Sequence, residues 1–207
     1  MTKFLAGVAF VAALFVSTLA PAQSPPSDWI ANLRQGGYVI VLRHGATFPD
    51  QADTDPFNLQ NVEKQRQLND QGRALARQIG DAMRKLKIPV GEVRTSLFNR
   101  AQETGKLLGF GDIVTTADLT EGGLVVSPNE NNRRAAAFKK LAATVPPAGT
   151  SVVLVSHKPN ILDAFGKDWF DVREGEASIL KPDGNGGFTL VTRVQAADWA
   201  KLAATVN

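Results

Sequence analysis

Two stretches of this chain read as buried strands of an α/β sheet, and both stop at a histidine. One is Tyr38-Val39-Ile40-Val41-Leu42-Arg43-His44-Gly45, the other Ser151-Val152-Val153-Leu154-Val155-Ser156-His157. A β-branched apolar run with no polar alternation fits a strand covered on both faces, which is the situation in parallel sheets. In such sheets ligands bind just outside the carboxyl ends of the strands. His44 and His157 are the only histidines in the chain. Two such strand ends bring them toward one cleft.

The rest of the chain alternates in the same way. Ser27 is positioned to cap a short helix through Leu33, and Gly36-Gly37 turns the chain into the first strand. Residues 46–67 are polar and irregular, a long loop of the kind that is usually functional or mobile. Asn69 then caps a helix with Leu75, Ile79, Ala82, Met83 and Leu86 on one face, ended by Pro89. Strand 90–95, helix 98–108, a short strand 113–115 and helix 130–145 follow, the last with Ala136, Leu141 and Val145 available for burial. After the 151–156 strand come a short helix around 161–165 and strands 177–180 and 187–194, then a final helix around 196–203. Asp183-Gly184-Asn185-Gly186 between the last two strands is a hairpin signal. Strands alternating with helices predict a three-layer α/β/α fold around a mainly parallel sheet.

The N-terminus reads as an address. Lys3, the apolar run Phe4–Val16 and the small-x-small Ala20-Pro21-Ala22 form a signal-peptide pattern with cleavage before Gln23. The run is short of the roughly 18 apolar residues that a spanning helix needs. The expected organisation is a signal peptide at 1–22 and one catalytic domain at 23–207, in a periplasmic or secreted protein. Membrane attachment is expected only where that segment stays uncleaved. The chain has no cysteine, which removes disulfides, a thiol nucleophile, a thiolate metal site and lipid attachment at a lipobox cysteine. A net charge of +3 is too mild to argue for nucleic acid as a partner.

The strand at 90–95 runs into Thr95-Ser96-Leu97-Phe98-Asn99-Arg100-Ala101-Gln102-Glu103-Thr104. Small polar residues followed by a helix that opens with arginine make an anion site. Free N–H groups at a helix start attract phosphate, and a guanidinium adds paired charge-assisted hydrogen bonds. On its own Arg100 reads more readily as a solvated helix charge than as an anion ligand. Arg43, at the end of an apolar strand, is harder to dismiss, because a charge is rarely buried there without a partner. Two arginines and two histidines at three strand ends suit phosphoryl binding and transfer, which is chiefly positioning and charge neutralisation.

The motifs Leu42-Arg43-His44-Gly45-Ala46-Thr47, Ser96 through Arg100-Ala101 to Thr104, and Val155-Ser156-His157-Lys158-Pro159-Asn160 resemble the histidine phosphatase (phosphoglycerate-mutase-like) superfamily. Leu68-Asn69-Asp70-Gln71-Gly72 matches the helix start that this family carries between its first two motifs. The resemblance spans about residues 36–194. It implies His44 as the nucleophile of a covalent phosphohistidine, with Arg43, Arg100 and His157 holding the phosphate oxygens and His157 cationic beside the dianion. Thr47 is a further phosphate-donor candidate. Neither a cofactor nor a metal is implied, and the chain has no histidine/cysteine cluster to hold zinc. The family usually supplies an acidic residue after the second motif to protonate the leaving alcohol. Glu121 in Leu119-Thr120-Glu121-Gly122-Gly123 is the candidate, with Glu176 as runner-up.

Departures narrow the expectation. Phe48-Pro49-Asp50 replaces the tryptophan-asparagine pair of the mutase branch, and the segments that would build a sugar-phosphate cap are short. The chain is more similar to small envelope phosphatases, with a small-molecule or envelope-component phosphomonoester as substrate. Two alternatives stand beside this. One is a phosphohistidine-protein phosphatase, whose relatives lack the acid because imidazole leaves readily. The other is a catalytically silent phosphate-binding module.

Overall fold

Both faces of the central strands are covered, and this is why they read as unbroken apolar runs. The structure is a computed structural model that describes residues 26–122 and 125–205. The signal segment expected at 1–22 lies outside the described residues. The strands are β1 (Val39–Arg43), β2 (Val90–Thr95), β3 (Ile113–Thr115), β4 (Ser151–Ser156), β5 (Ala177–Pro182) and β6 (Phe188–Val194). They form one sheet in the order β3-β2-β4-β1-β5-β6. The β3, β2, β4 and β1 strands are parallel, while β5 and β6 add an antiparallel hairpin on the β1 side.

Side chains alternate between two cores. Ile40, Leu42, Val153 and Val155 face one layer, where α1 (Pro26–Leu33), α2 (Asp70–Lys85), α3 (Asn99–Leu107) and α6 (Asp198–Ala204) supply Leu33, Met83, Ala101 and Trp199. Val39, Val41, Leu154 and Leu180 face the other, against Phe138 of α4 (Pro128–Ala143) and Ile161 of α5 (Lys158–Phe165). The architecture is the expected three-layer α/β/α.

Local departures have local causes. The expected Ser27 cap lies inside α1, which begins at Pro26. In α2 the expected face is buried from Ile79 to Leu86, but Ala76 takes the interior place beside a half-buried Leu75. The α4 face is turned from expectation. Phe138, Ala142 and Ala143 are buried, with Leu141 half-buried, Ala136 exposed and Val145 54% exposed beyond the helix end. An alanine-rich helix offers several equivalent stripes, and Phe138 decides between them by packing edge-on against Phe165, 5.0 Å between ring centres. The hairpin forms where predicted. Asp183 Oδ1 accepts from the N–H groups of Asn185 and Gly187, while Gly184 and Gly186 adopt φ of 78° and 85°.

The topology opens a crevice between β1 and β4. These strands are neighbours in the sheet, yet β1 leads to α2 on one face and β4 to α5 on the other. The turn after β1 is clamped onto the start of α2. Asn69 caps α2 by accepting from Gly72 N–H at 2.8 Å, its Nδ2 donates to Thr47 O at 3.0 Å, and its backbone N–H donates to Ala46 O at 3.0 Å. A Cβ at Gly72 would run into the Ala46 carbonyl, so only glycine permits this approach.

Candidate active site

The strand register delivers both histidines to this crevice. Arg43 pairs with Ser156 at the ends of β1 and β4, and His44 N–H then donates to Ser156 O at 3.0 Å. The next step places His157 beside His44, with ring centres 5.1 Å apart and ring planes at 59°. On the other side of β4, Ser96 N–H at the end of β2 donates to Val155 O, so the turn into α3 enters the same crevice.

His44 is buried, and its Nδ1 lies 2.8 Å from Gly45 O. A carbonyl only accepts, so Nδ1 carries the proton and Nε2 keeps its lone pair. Gly45 is itself fixed, since its N–H donates to Thr104 Oγ1 at 3.1 Å and that hydroxyl donates to Arg100 O at 2.7 Å. Burial pushes the His44 pKa well below the usual histidine range, and the positive charge of Arg100 adds to this. His157 is lowered in the same way, by burial first and then by Arg100 and His44. These directions belong to the ligand-free site, whereas the cationic His157 is expected beside a bound dianion.

Arg100 is fully buried on the first turn of α3. Its Nη1 donates to Asp53 Oδ1 at 2.9 Å and its Nη2 to Glu121 Oε1, and its guanidinium lies 4.1 Å from the centre of the Phe98 ring. Glu121 Oε1 is also 3.6 Å from His157 Nδ1. Thus His44, His157, Arg100 and Glu121 form one contiguous group.

Arg43 and Thr47 join it less directly. Arg43 Nη1 donates to Val172 O at 2.8 Å, and its Nη2 is 3.5 Å from Glu174 Oε1. Thr47 Oγ1 donates to the same Glu174 oxygen at 3.3 Å. Burial is the main cause that lowers the Arg43 pKa, partly offset by Glu174. Glu176, the second acid candidate, is not brought to the site as a free carboxyl. Both its oxygens are buried and taken, Oε1 by Arg193 Nε and Oε2 by Gln195 Nε2 and Arg173 N–H.

Three buried nitrogens around this group have no hydrogen-bond partner: Arg43 Nε, Arg100 Nε and His157 Nδ1. Buried N–H groups are almost always paired, so a cluster of orphans marks a place that an acceptor would complete. A tetrahedral oxyanion has the charge and the several acceptors for it.

No protein-family model matches the chain, and no curated protein matches its sequence. Among solved structures it is similar to the protein histidine phosphatase SixA complexed with tungstate. The TM-score is 0.56 at 20% identity, over 78% of this chain and 98% of that one. The fold is that of the histidine phosphatases. It is likewise similar to the phosphoserine phosphatase of Entamoeba histolytica in complex with 3-phosphoglyceric acid, with a TM-score of 0.53 at 15% identity over 77% and 98% of the two chains. A mycobacterial glucosyl-3-phosphoglycerate phosphatase complexed with VO3 gives 0.53 at 16% identity, over 75% and 97%.

Within this histidine phosphatase fold several site residues carry no signal in the sequence. Asp53 and Arg66 come from the irregular 46–67 loop. Asp53 bridges Arg66 N–H and Arg100, and the positive charge of Arg66 reaches both histidines. A loop with Asp50, Asp53 and Asp55 carries no periodicity to choose among them. Ser96, Phe98 and Thr104 stood inside the quoted motifs, but their contacts depend on tertiary geometry.

Proposed function

We propose that this chain is a phosphatase that hydrolyses phosphomonoesters through a phosphohistidine on His44, and that it acts after export. The observation that carries the reading is the hydrogen bond from His44 Nδ1 to Gly45 O, because it leaves Nε2 as a neutral nucleophile in a buried, positively charged crevice. His44 Nε2 attacks phosphorus and the bond to the ester oxygen breaks. Protonated Glu121 gives its proton to the departing alkoxide, so an alcohol leaves. Water then attacks the phosphohistidine, Glu121 takes a proton from it, and the P–N bond breaks to release inorganic phosphate and neutral His44. Arg43 and Arg100 neutralise the equatorial oxygens, His157 donates a hydrogen bond to one of them, and the phosphoryl group competes with Glu121 and Asp53 for the Arg100 guanidinium.

The contacts of Glu121 with Arg100 and His157 favour an alcohol leaving group over a phosphohistidine protein. Small-molecule or envelope-component phosphomonoesters are the proposed substrates, with Thr47 as a secondary phosphate donor. Export is proposed from residues 1–22. Among the described residues no helix is long and apolar enough to cross a membrane. The deciding experiment is turnover of an aryl phosphate by residues 23–207, with His44→Ala as control. Alkaline quench during turnover should trap an acid-labile, base-stable phosphoramidate on His44. Label on serine or threonine, or no turnover with vanadate still bound, would replace this reading with another nucleophile or with a silent binding module. Protein recovered from a periplasmic fraction should begin at Gln23, whereas an intact Met1 would refute cleavage.

A further inference from the structure

His157 stands in the proposed mechanism as a phosphate ligand, but an imidazole offers a donor on one nitrogen only when the other is held as an acceptor. We infer that Ser96 is a positioning residue that holds His157 as a neutral ring protonated on Nδ1, so that this N–H donates to a phosphoryl oxygen. The inference rests on the proposed function for the identity of the acceptor, while the tautomer itself follows from the ligand-free geometry.

Ser96 is wholly buried at the end of β2, and its Oγ lies 2.7 Å from His157 Nε2. The same Oγ accepts the N–H of Phe98 at 3.1 Å. Among the described residues the hydroxyl has one acceptor in reach for its own proton, His157 Nε2. If Nε2 instead carried the proton and donated, the serine O–H would be left buried and unpaired and Nδ1 would turn a bare lone pair toward the Glu121 carboxylate, two unmet groups where the other tautomer leaves one. The hydroxyl therefore donates, Nε2 accepts, and the ring proton sits on Nδ1. That Nδ1 is buried and without a hydrogen-bond partner, 3.6 Å from Glu121 Oε1. Phe98 packs edge-on against the ring at 5.3 Å between centres, so the imidazole is held on one side and the Nδ1 edge faces the group around Arg100. The backbone places the donor as well, since Ser96 N–H donates to Val155 O and the next residues of that strand lead into His157.

With only two histidines, ring-15N-labelled protein gives four nitrogen signals, assigned by comparison with His44→Gln. In the ligand-free wild type His157 should show a protonated Nδ1 and an unprotonated, hydrogen-bonded Nε2. In Ser96→Ala the Nε2 signal should move to that of a nitrogen without a donor partner or become protonated. With an aryl phosphate, kcat of Ser96→Ala should fall about tenfold or more while KM stays within about twofold, the mark of lost orientation rather than lost binding. A wild-type His157 protonated on Nε2 overturns the inference, and so does a Ser96→Ala variant with unchanged nitrogen signals and wild-type kcat. The wild-type spectrum needs neither the variant nor turnover. A protein that hydrolyses no phosphomonoester would remove the proposed function while the spectrum still decides what Ser96 does.

Discussion

The arginine–carboxylate clusters around Arg193 and around Arg100 are made from the same groups and finished differently. In the first, Arg193 spends every nitrogen. Nε goes to Glu176, Nη1 to Asp168 O at 3.0 Å and Nη2 to Asp171 at 2.8 Å, while Gln195 and Arg173 N–H satisfy the remaining Glu176 oxygen. That network closes on itself and ties the outer hairpin to the segment before β5. In the second, Arg100 is more deeply buried than the half-buried Arg193 and also meets two carboxylates, yet its Nε stays unpaired, as do Arg43 Nε and His157 Nδ1 nearby. An unsatisfied buried donor costs about 1–3 kcal/mol. A closed network holds strands together. An open one keeps that cost in place until a ligand removes it, and the difference separates Glu121 from Glu176 as candidate acid.

The sharpest attempt to break this contrast removes the nucleophile. His44→Ala should abolish steady-state hydrolysis, by about four orders of magnitude or more, and with it the phosphoramidate, while circular dichroism stays that of the folded protein. The two clusters can then be crossed. Arg100→Ala should lower the chemical step by about two to three orders of magnitude and weaken vanadate binding. Glu176→Gln should instead cost about 3 kcal/mol of stability, roughly 6–12 °C in Tm, with kcat of the folded fraction within about threefold of wild type. An active Arg100→Ala, or a stable but inactive Glu176→Gln, would erase the distinction.

The contrast also shows what was legible in the residues alone. β1 and β4, with His44 and His157 at their ends, could be read because burial on both faces leaves a run of Val, Ile and Leu with an abrupt polar stop. Arg100 could be read because it opens a helix directly after a strand. The buried face of α4 could not, since alanines give no preferred stripe until Phe138 meets Phe165. Asp53 and the Glu174 contacts with Arg43 and Thr47 were hidden for another reason. They arise where chain segments far apart in sequence meet, and no local spacing encodes that meeting. The closed Glu176 network was hidden in the same way, so Glu176 stood as an acid candidate until its partners were seen.

Within the open cluster, Glu121 gives a more selective test. An alkoxide needs a proton to leave and an aryl oxide does not. Glu121→Gln should therefore slow alkyl phosphate hydrolysis by about a hundredfold while an activated aryl phosphate loses less than about tenfold. Equal losses on both would make Glu121 a support for Arg100 and His157 rather than the proton donor.

The smallest effect concerns the stability cost of holding two histidines neutral in the crevice. Burial, with Arg100 adding, sets both pKa values well below the histidine range, whereas in the unfolded chain each takes up a proton near about pH 6.5. As the pH falls through that value the unfolded chain binds protons that the fold refuses, so stability drops with pH. Each histidine contributes a slope of up to about 1.4 kcal/mol per pH unit, lost again only below its folded pKa. Glu130, held at about 2 by Arg133 and Arg134, stays ionised across the window just below about pH 6.5. Urea unfolding across that window should show falling stability in the wild type and about half the slope in His157→Asn. An unchanged slope in that variant would mean that His157 takes up its proton in the fold as readily as in the unfolded chain, so that burial beside Arg100 does not hold it neutral.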